Sequence, residues 1–216
     1  MHLAHQPSGT RFLALPGVAL VALALLASLA GRVSAQAWSE VGDAGQLPAS
    51  AQNTTGLGPL TTITGTFQTP VDVDMYCIQV TDPASFGAFL LCFIIQSPDL
   101  YLFDSTGKGI AVAQICSGSS KTIAAPFVTS AGTYYLAVAP FGSLALSGAG
   151  PIWNPGTTLA RAPDGPGAAG PIVAWGGTPI PPNPTNYQIT LFGVGYCSAA
   201  TPVRVRSWGT LKSYYH

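Results

Sequence analysis

Val71–Ala88, VDVDMYCIQVTDPASFGA, is the stretch that decides the fold. Its side chains separate into two faces at period two, as on a β-strand. Asp72, Asp74, Tyr76, Ile78 and Val80 fall on one side, and Val71, Val73, Met75, Cys77 and Gln79 on the other. Tyr76, Ile78 and Val80 are the residues expected to enter a core. The two aspartates on their face then lie where that core opens to solvent, within reach of loop amides. Thr81-Asp82-Pro83 ends the strand, because proline cannot donate to a ladder and aspartate favours a turn. Phe86–Ile95 follows as a second, nearly continuous apolar strand.

Six further strands follow from the same reading. Leu60–Phe67 alternates and is threonine-rich. Leu100–Asp104 is followed by the turn Ser105–Gly109 and by Ile110–Ile115. Lys121–Val128 leads to a tight turn at Ser130-Ala131-Gly132, then to Thr133–Ala139, and Tyr187–Phe192 closes the series. Between Pro140 and Asn186 lies one long Gly/Pro-rich loop holding Trp153 and Trp175. Loops of that length are uncommon in compact domains unless they are functional or disordered. About eight short strands with no helical period predict an all-β fold, an antiparallel, jelly-roll-like β-sandwich. The 25 glycines and 19 prolines agree with turns and strands.

Residues 1–37 read as a secretory signal peptide. Arg11 precedes an apolar run from Phe12 to Ala30. Val33-Ser34-Ala35 and Ala35-Gln36-Ala37 both place small residues at a cut point. Residues 38–197 form the expected sandwich domain, and 198–216 a C-terminal tail. Ser198–Pro202 reads as its linker, and Arg204, Arg206, Trp208, Lys212, Tyr214 and Tyr215 give a basic, aromatic end. No second long apolar segment follows the leader, so no membrane span is expected after cleavage and the destination is secretion or the cell surface. Removing Arg11 and Arg32 leaves six basic residues against eight acidic ones. Without a basic stripe, nucleic acid is excluded as a partner.

Cys77, Cys92, Cys116 and Cys197 are an even set in an oxidising route, which predicts disulfides. Three pairings are open. Cys77, Cys92 and Cys116 lie on or beside successive strands, so two of them can bridge neighbours. No CxxC pair exists, which argues against zinc.

Catalysis lacks its usual parts. His216 is the only histidine after the leader, and Glu40 the only glutamate. Ser-His-Asp and Cys-His machinery therefore has no base. Ser105–Lys108 matches Ser-x-x-Lys, but in a glycine turn where a helix is required. No enzyme activity is expected, and a hydrolase working through carboxylates is the remaining enzymatic alternative. Asp72, Asp74, Asp99 and Asp104 are candidate oxygen ligands for calcium. Asp72 and Asp74 share a face about 7 Å apart along the strand. Trp153, Trp175 and Phe141, in or beside the long loop, are candidate ligand-binding aromatics suited to a sugar face or a peptide.

VDVDMYCIQV, LYLFDSTGKGIA, SAGTYYLAVAPFG and YQITLFG, with the lead-in WSEVGDAGQLPASAQ, resemble the bacterial pre-peptidase C-terminal type of β-sandwich domain in its stand-alone secreted version. The resemblance spans roughly Trp38 to Cys197. It implies a jelly-roll-like, non-catalytic accessory that binds protein or polysaccharide, sometimes with calcium. Cys77 and Cys92 stand where that pattern has ordinary strand residues. The expected function is therefore a secreted binding module for a protein or glycan at the cell surface or in the extracellular matrix. The alternative is a structural or adhesive component anchored or sorted by its tail.

Overall fold

A computed structural model of the chain describes residues 36–92, 97–156 and 158–199. The expected leader, the C-terminal tail from residue 200, and the far end of the Phe86–Ile95 strand lie outside the described residues. Among these residues sixteen strands run in chain order: β1 Gln36–Ser39, β2 Gln52–Asn53, β3 Thr55–Gly56, β4 Leu60–Thr66, β5 Asp74–Val80, β6 Gly87–Leu91, β7 Asp99–Asp104 and β8 Gly109–Ala113, then β9 Ser120–Ala124, β10 Gly132–Ala139, β11 Ser143–Ser147, β12 Gly150–Pro151, β13 Ala174–Gly177, β14 Asn186–Phe192, β15 Val194–Tyr196 and β16 Ser198–Ala199.

Two sheets make the sandwich. Sheet A has the order β1-β4-β14-β6-β9, and sheet B the order β15-β5-β10-β7-β8 with β2 added beside β5. From β4 to β7 the chain changes sheet at every strand, which is the winding of a jelly-roll-like sandwich. The eight expected strands are all present and pair antiparallel with their neighbours. The antiparallel expectation fails at the short additions: β1 joins β4, β2 joins β5 and β16 joins β3 in parallel. Those partners arrive from the lead-in and the C-terminal end: β1 covers the free edge of β4 and β2 lies along β5, while β3 and β16 form a small sheet of their own.

Two boundaries move. β1 begins at Gln36, inside the expected leader, so a cut after Ala35 leaves it whole and a cut after Ala37 removes half of it. Ser198 and Ala199, expected as linker, pair with Thr55 and Gly56.

The inner faces of the sheets meet as predicted. Tyr76, Ile78 and Val80 join Ile63, Leu90, Leu102, Leu136 and Ile189 in one buried cluster. The other face of β5 is buried too. Val73 and Met75 belong to a second cluster with Tyr101, Phe103, Val112, Ala145, Ile152, Trp153 and Ile172. Residues 140–186 are therefore a third layer and not a loop. Its β12-β11-β13 sheet closes over the outer face of sheet B. Gly109 lies under that layer, where an added Cβ would meet Ile152 and Trp153 at 2.7 Å.

Cys77 pairs with Cys197 and Cys92 with Cys116. The first bond joins β5 to the end of the described chain. Thr54, fully buried, sits between these cysteines: its hydroxyl donates to the Cys77 carbonyl and accepts from the Cys197 amide.

Candidate functional site

Among the described residues the third layer covers sheet B and no comparable layer covers the outer face of sheet A. Its surface follows from register. Residues paired across strands share a face, and one outward row crosses the whole sheet: Ala37–Thr62–Thr190–Phe89–Thr122. A second row runs Ser39–Thr64–Gln188, and Thr66 pairs with Asn186 beyond it. The alternate residues Ile63, Ile189 and Leu90 point inward. The Thr-rich spacing of β4 and the Asn-Tyr-Gln-Ile-Thr-Leu-Phe order of β14 thus make one face of hydroxyls and amides with no charge in those rows. Phe192, 54 % exposed, meets Phe89 edge-on at 5.5 Å and gives that face an aromatic patch.

At one end the rows run into a depression of about 440 Å³, walled by Ser39, Thr64, Thr66, Gln68, Asn186 and Gln188, with Glu40 and Tyr187 also lining it. Asp74 lies next to it at the start of β5 and is fully buried. Its Oδ2 accepts the Tyr187 hydroxyl at 2.6 Å, and the Tyr187 and Tyr76 hydroxyls are 2.6 Å apart. Tyr187 has one proton and gives it to Asp74, so Tyr76 donates to Tyr187. The Asp74 Oδ1 has no hydrogen-bond partner among the described residues. One carboxylate oxygen from each of Glu40, Asp43 and Asp74 falls within 4.8 Å of the others. Glu40 is held by the Ala44 and Thr66 amides, and Asp72 accepts the Gln68 amide at 2.6 Å.

This crowding moves the acids upward. Burial pushes Asp74 up to about 8, against the pull of its Tyr187 hydrogen bond, and the charges of Glu40 and Asp72 add to the rise. Asp72 is raised by burial, and by Asp43 to a smaller extent. Tyr76 and Tyr187 are both pushed well up, burial being the main cause. All the donors are hard oxygens, one of them unpartnered, which suits calcium better than a softer metal.

The four-aspartate calcium set does not assemble. Asp72 and Asp74 lie in this corner, but with Glu40 and Asp43 as companions. Asp99 is buried elsewhere, 2.7 Å from the Lys121 ammonium and 3.3 Å from the Gln114 amide nitrogen. Asp104 caps its own turn, accepting the Thr106 and Lys108 amides. The proposed aromatics are also redistributed. Trp153, 3 % exposed, packs edge-on against Tyr101 and Phe103 and presents no open ring face. Trp175 is half-buried, meets Tyr101 at 5.0 Å, and donates its indole N–H to the Gln46 carbonyl. Both pin the third layer down. Phe141 lies with its ring 5.2 Å from the Lys121 ammonium.

Glu40, Asp43 and Tyr187 are the site residues that the sequence reading missed. The only signal for the acids was their place in the lead-in, WSEVGD. The pairing of β14 with β4, which delivers Tyr187, leaves no mark in the sequence. Compared with known proteins, the chain matches no protein-family model and no curated protein.

Proposed function

We propose that the chain is an exported, non-catalytic β-sandwich that binds a glycan on the outer face of sheet A, at a cell surface or in the extracellular matrix. One arrangement carries this reading: rows of uncharged hydroxyls and amides run beside the Phe89–Phe192 pair and end in a polar depression. Sugars need this mixture, hydrogen-bond partners for their hydroxyls and an aromatic surface for their C–H faces. The two disulfides and the leader-like N-terminus support export. The resemblance to pre-peptidase C-terminal domains points the same way. Calcium held by Glu40, Asp43 and Asp74 would stiffen the rim of the face by tying the lead-in to β5.

A raised carboxyl beside a second acid is also what a carboxylate hydrolase requires. Here the raised acid is Asp74, which is fully buried and bonded inward to Tyr187, out of reach of a substrate.

A glycan array tests the reading. Capture of a glycan that is lost in Phe192→Ala and in Thr190→Arg, with the fold intact, supports it. Capture that survives both changes overturns the assignment to this face. Turnover of the bound glycan that disappears in Asp74→Asn overturns the non-catalytic reading.

A further inference from the structure

The start of β1 falls where the leader pattern ends. Two bonds there meet the small-residue requirement of leader cleavage, the one after Ala35 and the one after Ala37. They differ in what they leave behind. β1 pairs with β4 through Gln36–Leu60, Ala37–Thr62, Trp38–Ile63 and Ser39–Thr64. A cut after Ala37 removes the first two of those pairs. It also removes the Gln36 carbonyl, which accepts the Thr61 hydroxyl at 3.2 Å. The edge of β4 is then bare from Leu60 to Thr62, and bare strand edges invite pairing with other chains. Ala37 would vanish from the outward row of sheet A, and the new terminal ammonium would sit on Trp38, whose ring packs against the main core. A cut after Ala35 keeps every one of these contacts.

That cut makes Gln36 the first residue, and a first-position glutamine has a reaction open to it. Its α-amine attacks the side-chain carbonyl carbon. A new bond from the backbone nitrogen to Cδ closes a five-membered lactam, the bond from Cδ to Nε2 breaks, and ammonia leaves with the proton given up by the amine. No oxidant, metal or cofactor is consumed. Among the described residues the Gln36 side-chain amide has no hydrogen-bond partner, so it is free to turn back on the backbone nitrogen. The lactam carries no charge, as other blocked termini do not. Chain ends are where proteolysis concentrates, and an aminopeptidase needs the free α-amine that the lactam lacks. β1 is an edge strand of four residues, and it leads into Ser39 and Glu40 on the wall of the sheet A depression. Trimming from its start would strip that wall.

We propose that Gln36 is a modification site: leader removal frees its amine at the Ala35–Gln36 bond, and the residue closes to a pyroglutamate that seals β1 against aminopeptidases. This rests on the export reading and is independent of what the face of sheet A binds.

Secretion of the whole chain from an exporting host, followed by mass spectrometry of its N-terminal peptide, tests it. The exported protein is expected to begin at Gln36, to be lighter than its sequence by one ammonia, and to block stepwise sequencing. Pyroglutamyl peptidase should remove the block, after which sequencing reads Ala37, Trp38 and Ser39. Gln36→Ala keeps the cut and cannot cyclise, so aminopeptidase digestion should shorten that variant and leave the unaltered protein whole. Exported protein that begins at Trp38, a free amine on Gln36, or equal resistance of the variant and the unaltered protein to aminopeptidase would each overturn the inference while export stands. A retained leader on cell-associated protein would overturn the export reading itself and the inference with it, and the same spectrum tells the two failures apart.

Discussion

Asp74 carries the sharpest consequence at the scale of single residues. Its carboxyl is raised from 3.8 to about 8, mainly by burial. The folded state therefore binds this proton more tightly than the unfolded chain. The stabilisation is complete below the ordinary carboxylate value and is lost as pH climbs through the window from about 4 to 8. In a chelator, the native protein should lose stability across that window in urea titrations, and Asp74→Asn should flatten the loss. Calcium competes with the proton for the same oxygens. Its addition should raise the melting temperature more at pH 8 than at pH 5, and a rise equal at both values would count against Asp74 as a ligand.

Lys121 gives a second residue-scale prediction. It sits on an inward row, paired with Leu90, where a hydrocarbon is expected. Replacing it with methionine strands Asp99 in the interior without its counter-charge. Denaturant titration should show a loss of about 3–5 kcal/mol. The double change Lys121→Met, Asp99→Leu should recover much of it, because an unpaired buried charge costs more than no charge.

At the scale of elements, β5 shows why the third layer exists. Six of its seven residues are buried, which a two-layer sandwich cannot achieve on a strand of alternating faces. The layer is held by rings: Trp153 and Trp175 meet Tyr101 and Phe103 at 5.0–6.3 Å between centroids. Trp153→Ala should cost about 3–5 kcal/mol in chemical denaturation, the range for emptying an aromatic site in a packed core. It should also expose Met75 and Phe103, read as increased dye binding. A loss under about 1 kcal/mol would mean that the layer is not packed on sheet B. Sequence showed the inward face of β5 through Tyr76, Ile78 and Val80. It did not show what covers Val73 and Met75, because the covering residues come from Ala145 to Trp175 in a stretch of low periodicity.

At the scale of the whole molecule, the two disulfides close very different lengths of chain. Cys77–Cys197 spans 120 residues and Cys92–Cys116 spans 24. On the chain-entropy account, removing the first pair as alanines should cost about 4–5 kcal/mol and the second about 3 kcal/mol. Calorimetry that ranks them the other way would show that local packing outweighs loop length. The longer bond also holds the β15–β16 end of the described chain beside β5 and the Thr54 segment, so its loss should loosen that end and the Thr54 segment together. Hydrogen exchange at Thr54 and Tyr196 would report it.

The sequence by itself determined the eight main strands, their inward faces, the even set of cysteines and the low charge. All of these are local or compositional, and period-two alternation declares them wherever a strand is half-buried. Tertiary structure alone decided which cysteines pair, that residues 140–186 form a layer, and that Glu40 and Asp43 lie beside Asp74 while Asp99 and Asp104 lie elsewhere. Those outcomes depend on which strands become neighbours. Pairing between residues more than a hundred positions apart, such as Tyr187 with Gly65, is chosen by the packing of the whole sandwich and not by the identity of either segment.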